Sequence, residues 1–103
     1  MRLRGAAPAA GDTPLVSIVT VVYNGAATLE RTIQSVLAQS HPRIEYIIMD
    51  GGSTDGTLDI LRRYDDRIAY WRSAKDKGIY DAMNKGIAEC TGEWIGMINA
   101  EDW

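Results

Sequence analysis

Four short runs of apolar or β-branched residues alternate with segments of helical hydrophobic spacing, and this alternation leaves few folds open. Residues 16–23, VSIVTVVY, are apolar at nearly every position, as in a strand covered on both faces. The run IEYIIM at 44–49 repeats that character; residues 94–98 and the shorter, more charged 68–72 are the other strand candidates. Between the first two lies TLERTIQSVLAQ, where Leu29, Ile33, Val36 and Leu37 fall at i, i+4, i+7 and i+8. That spacing predicts one apolar helical stripe with Thr28 as its N-cap, ended by His41-Pro42. Leu58, Leu61 and Tyr64 mark a short second helix. Residues 81–91 mark a third, with Ile79, Met83 and Ile87 four apart and Gly92 as its C-terminal stop. Strand and helix in alternation imply parallel strands and right-handed crossovers. The expected fold class is α/β, a three-layer α/β/α sandwich on a mainly parallel, Rossmann-like sheet of about four strands.

Composition sets the scale of that sandwich. With 103 residues, 46% hydrophobic and 24% charged, the chain holds the core of one domain and not of two. The first 14 residues carry four Ala, two Gly and two Pro without a hydrophobic period, so residues 1–14 read as a flexible tail and 15–103 as the folded unit. Eleven basic against fourteen acidic residues give a net charge of −3, which argues against gripping nucleic acid through a broad basic face. Cys90 is the only thiol and His41 the only imidazole. An internal disulfide, a multi-cysteine zinc site and a His pair are therefore excluded, and a divalent ion would have to rest on oxygen ligands, as Mg or Mn does. No apolar run approaches the roughly 18 residues that span a bilayer. The expected location is cytoplasmic, with peripheral membrane attachment left to a full-length protein.

In parallel sheets, ligands gather beyond the carboxyl ends of the strands. Three polar clusters fall there: Tyr23-Asn24 after the first strand, DGGSTDG (residues 50–56) after the second, and Asn99-Ala100-Glu101-Asp102 after the fourth. A carboxylate at a strand end, Asp50, is placed to accept hydrogen bonds from a base or ribose, although the same loop composition also makes an ordinary turn and helix cap. The glycine spacing matches neither the dinucleotide fingerprint nor the phosphate loop. Glu101 and Asp102 are neighbours on an extended chain and face opposite ways, so one of them would point directly at an ion. In DKGIYDAMNKG (residues 76–86), Lys77 and a helix N-terminus supply positive potential for phosphate, and Asn84 can hydrogen-bond a sugar. Asp81 reads equally well as an N-cap, and Cys90 as a small core residue.

Taken in order and spacing, VSIVTVVYN, EYIIMDGGSTDGT, DKGIYDAMNKGI and TGEWIGMINAEDW resemble the N-terminal half of a family 2 glycosyltransferase with the GT-A fold. The nearest resemblance is to bacterial transferases of polysaccharide and colanic-acid-type gene clusters. It implies transfer of a sugar from a nucleotide-diphospho-sugar donor to the hydroxyl of a saccharide or lipid-linked acceptor, with inversion. It also implies a donor site of Thr20, Tyr23, Asn24 and Asp50, joined by Lys77 and Asn84. Glu101-Asp102 would match the family's DXD-like motif for Mg or Mn, with Asp102 as the direct ligand. No residue matches the family's general base, which is expected beyond Trp103. The chain is therefore expected to be a donor-binding half, truncated after about four strands, with little activity alone and with an exposed strand edge open to self-association. Many relatives carry two acids where this chain has Asp50-Gly51, and an Arg where it has Met83. A different class of function, a non-catalytic nucleotide-binding or assembly module on the same fold, is the competing reading.

Overall fold

The structure, a computed structural model, describes residues 14–39, 43–75 and 77–99 and the backbone of Arg2 and Leu3. Along the chain run strands Arg2–Leu3 (β1), Val16–Val22 (β2), Ile44–Asp50 (β3), Tyr70–Ser73 (β4) and Trp94–Asn99 (β5). Helices Ala26–Leu37 (α1), Thr57–Arg63 (α2) and Ile79–Ala88 (α3) lie between them. The sheet order is β1-β5-β2-β3-β4, and β2 to β5 are mutually parallel. Within the lead-in, Arg2 and Leu3 pair antiparallel with Ile95 and Trp94 of β5.

Side-chain alternation along the strands sorts the core into two clusters, which is what a sheet covered on both faces requires. On one face Ile18, Val22, Tyr46 and Ile48 meet Leu29, Ile33 and Val36 of α1 and Leu61 of α2. On the other, Val19, Val21, Ile47 and Met49 meet Ala82 of α3 and Cys90. The stripe of α1 is the expected one, but the helix begins at Ala26, and Thr28 sits inside its first turn with its hydroxyl turned to the Gly25 carbonyl, 3.4 Å away. The third helix likewise starts and ends earlier than the spacing suggests. Gly78, at φ 113°, leads into it in a conformation that side-chain-bearing residues avoid.

Gly92 is not the stop of that helix, whose C-cap is Glu89. Its lack of a side chain answers a packing demand instead: a Cβ there would lie 2.6 Å from Ser17 Oγ and 2.7 Å from the Leu15 carbonyl. This close approach belongs to a network at the amino ends of the strands. The buried Ser17 hydroxyl donates to Glu45 Oε1 at 2.8 Å and accepts from the Gly92 N–H at 2.8 Å. The Thr91 N–H and hydroxyl both donate to the Glu45 carboxylate at 2.8 Å.

Partial burial pushes the Glu45 carboxyl up, but the bonds from Thr91 and Ser17 outweigh it and hold it below its ordinary value. A depressed carboxyl stabilises the fold above its unfolded pKa and ceases to do so as pH falls through the folded one. The native protein is therefore expected to lose stability below about pH 4.5 more steeply than Glu45→Gln, as read from urea midpoints across that range. Parallel acid limbs for the two proteins would show that the carboxylate is not held this way.

Beyond its first residues, β5 is thinly covered. Met97 and Ile98, on opposite faces, are each 37% exposed. Among the described residues no helix is long and apolar enough to cross a membrane.

Candidate functional site at the carboxyl ends of the strands

Parallel pairing brings the strand ends into one row. Val22 is in register with Asp50, Asp50 with Ser73, and Val21 with Asn99. The described loops that follow Val22, Asp50 and Ser73 therefore share one rim, with Asn99 in the same row, as the sheet rule requires. Tyr23 stands there 40% exposed, and Asn24 beside it adopts φ 49°, the left-handed region that asparagine tolerates better than most residues.

Asp50 does not face outward. It is 1% exposed, and its carboxylate is taken up by its own neighbourhood. Oδ2 accepts from the Gly52 N–H at 3.1 Å, the Ser53 N–H at 2.9 Å and the Ser73 hydroxyl at 2.7 Å, while Oδ1 accepts from the Ser53 hydroxyl. Asp50, expected to meet a base or ribose, thus has its carboxylate bonded within its own loop and to Ser73 of β4. Gly52, at φ 88° with the Lys75 backbone 3.4 Å from where a Cβ would sit, lets the β4–α3 connection close on that loop.

The two central loops are stitched together. The Asn24 N–H donates to Ser53 Oγ at 2.7 Å, and Asn24 Oδ1 accepts from the Thr54 N–H at 2.8 Å. The Asp55 carboxylate accepts from the Ala26 N–H through Oδ2 at 3.1 Å and from the Thr57 N–H through Oδ1 at 2.9 Å, with the Thr57 hydroxyl also on Oδ1. One side chain therefore serves the amino ends of α1 and α2, which explains why α1 starts at Ala26 without a cap of its own. Slight burial pushes the Asp55 carboxyl up, and the Thr57 and Ala26 bonds more than reverse it.

Of the other expected site residues, Thr20 is not at the rim. It is fully buried on the face of Ile18 and Val22, with Oγ1 2.8 Å from the Tyr46 hydroxyl, and burial pushes that phenol up to about 12. Lys77 lies exposed in the connection next to the rim, at the entrance to α3. Its N–H donates to Asp81 Oδ2 at 3.0 Å, and Lys85 pairs with the same oxygen at 3.0 Å, so Asp81 closes the helix entrance rather than serving as N-cap. Asn84 is exposed about 200° around α3 from Ala82 and from Gly86, which both face the sheet, so its side chain lies on the side of the helix away from the sheet. Glu101, Asp102 and His41 lie outside the described residues. Ser53, Ser73 and Asp55 are the organising residues that the sequence reading did not single out. The signal for Asp55 is the D-G-T order before a helix, a local capping pattern.

An α/β sandwich with loops gathered at one parallel rim belongs to the class of domains that bind ligands beyond the carboxyl ends of their strands. Comparison with known proteins narrows it: residues 17–103 match the family described as Glycosyl transferase family 2. The chain belongs to this family. It is 42% identical over 92 residues to an uncharacterized glycosyltransferase of Mycobacterium tuberculosis, covering 88% of this chain and 35% of that protein. It is 41% identical over 92 residues to a Bacillus subtilis protein named for teichuronic acid biosynthesis, covering 86% and 36% respectively. The fold superimposes with a TM-score of 0.78 on a mannosyltransferase from Pyrobaculum calidifontis in complex with GDP-Man and Mn2+, at 26% identity, covering 96% of this chain and 31% of that one. The chain thus spans about a third of the length of these relatives, and the parallel α/β fold is that of GT-A glycosyltransferases.

Proposed function

We propose that this chain forms the donor-binding part of an inverting transferase that moves a sugar from a nucleotide-diphospho-sugar to an acceptor hydroxyl in polysaccharide or cell-envelope glycan synthesis. The observation that carries the proposal is the shared rim, where Tyr23 projects beside two loops already locked to each other. A mononucleotide laid on that rim would rest one face of its base on Tyr23 and its ribose on the backbone of the residue 50–56 loop. The Bacillus subtilis relative's name and the GDP-Man complex of the Pyrobaculum calidifontis enzyme support this reading.

Glu101 and Asp102, two and three residues beyond the end of β5 at Asn99, are the residues that would hold Mg or Mn. Their oxygen-only donor set suits a hard divalent cation. When bound, the ion supplies charge neutralisation on the leaving diphosphate. The chain's own contribution is to orient the nucleotide against Tyr23 and to present Lys77 toward the phosphates. The saccharide or lipid-linked acceptor, a cytoplasmic location with peripheral membrane attachment, and self-association along the part of β5 beyond its pairing with β1 at Trp94 and Ile95 belong to the same proposal. The last is tested by size-exclusion chromatography, where a concentration-independent monomer would refute it.

The central test is calorimetry with UDP and with GDP in the presence of Mn2+. Binding of at least one is expected, and Tyr23→Ala should weaken it about tenfold, since stacking a base on an aromatic ring is worth about 1–3 kcal/mol. Absence of heat from both nucleotides would overturn the donor-site reading.

A further inference from the structure

The geometry points to Asp55 as a positioning residue: by bonding the first turn of α1 through one oxygen and the first turn of α2 through the other, it fixes the Tyr23-Asn24 turn against the residue 50–56 loop before any ligand arrives. This rests on the reading of the rim as a nucleotide site only for its consequence in binding; the clamp itself is a matter of atoms in place. Three links cross between the loops: Asn24 N–H to Ser53 Oγ at 2.7 Å, Thr54 N–H to Asn24 Oδ1 at 2.8 Å, and Ala26 N–H to Asp55 Oδ2 at 3.1 Å. The first two come from the Asn24 turn, whose φ of 49° has to be maintained by its surroundings. The third lies two residues on and ties down the helix that the turn leads into. Asp55 is itself exposed, so its carboxylate stays accessible to water and is retained by directional bonds rather than by burial.

The division of labour between the two oxygens makes the idea testable. An asparagine at position 55 has one acceptor oxygen. It can keep the local bond to the Thr57 N–H, but it then presents an NH2 donor to the Ala26 N–H. Asp55→Asn should therefore cut the third of these links, the one to Ala26, and spare the cap of α2, whereas Asp55→Ala should remove both.

The experiment is amide hydrogen exchange by NMR on the full chain, read residue by residue, with nucleotide titration alongside. In Asp55→Asn, the Ala26 and Thr54 amides are expected to exchange about tenfold faster or more, while Thr57 stays within about threefold of native and the amides of α3 do not change. The affinity for whichever of UDP or GDP binds in Mn2+ should fall by about tenfold, because the Tyr23 wall is no longer preset. Native exchange at Thr54 in both variants would overturn the clamp and leave Asp55 as a simple cap. Faster exchange at Thr54 with undiminished nucleotide affinity would overturn its positioning role. If the unaltered chain binds neither nucleotide, the donor-site reading fails, and the exchange data alone decide whether Asp55 couples the loops.

Discussion

Asp50→Ala should destabilise the protein by about 3–5 kcal/mol, a large part of the stability of an ordinary small domain. The reason is arithmetic on donors. Removing the carboxylate strands the N–H groups of Gly52 and Ser53 and the hydroxyls of Ser53 and Ser73 in a site where Asp50 itself is 1% exposed. Water reaches such donors poorly, and each unmet one carries a cost. Asp50→Asn retains the shape and one acceptor. Placed at the Oδ2 position, the amide oxygen still takes three of the four bonds, so its loss should be nearer about 1–2 kcal/mol. Urea denaturation of both variants checks this. Equal losses, or a loss under about 1 kcal/mol for alanine, would show that the loop holds its form without the acid.

Gly92→Ala carries the second large effect, a loss of about 3 kcal/mol, at the far end of the sheet. The added methyl would meet Ser17 Oγ at 2.6 Å, the Leu15 carbonyl at 2.7 Å and the Ser17 amide nitrogen at 2.8 Å. Two of those three are backbone atoms, fixed by the start of β2. Pairing the change with Ser17→Ala removes only the hydroxyl, so the double variant should recover little. Gly86 makes the contrast: its nearest obstruction, at 2.5 Å, is a Val19 methyl, a side chain that another substitution can shorten. Thermal melts of Gly92→Ala with and without Ser17→Ala decide the point; full recovery in the pair would place the clash on the hydroxyl alone.

The frame of the fold was legible because it rests on burial, and burial is written in composition. The strands at 16–22 and 44–50 announce themselves by lacking polar alternation, and Leu29, Ile33 and Val36 mark the buried side of α1. The site was legible only in outline. The sequence places polar residues after strands, but whether a side chain turns out or in depends on partners remote in the chain. Asp50 turns in because Ser73, twenty-three residues away, offers a hydroxyl. Thr20 shares a face with Ile18 and Val22, a parity that the continuous apolar run conceals and Tyr46 rewards with a hydrogen bond. Thr28 loses the cap position because Asp55, distant in sequence, supplies the acceptor at Ala26. Residues 68–72 shift to Tyr70–Ser73 because a 3-10 turn at Asp65–Arg67 precedes them and Ile68 buries itself before the strand begins.

The two faces of the sheet are covered unequally. Among the described residues, eleven buried apolar side chains form the cluster under α1 and α2, against six in the cluster under α3. Partial opening of the native state should therefore begin by lifting α3, which exposes the lesser area. Opening there would loosen the Lys77 side of the rim, which leads into α3, before the stitched loops, which lead into α1 and α2.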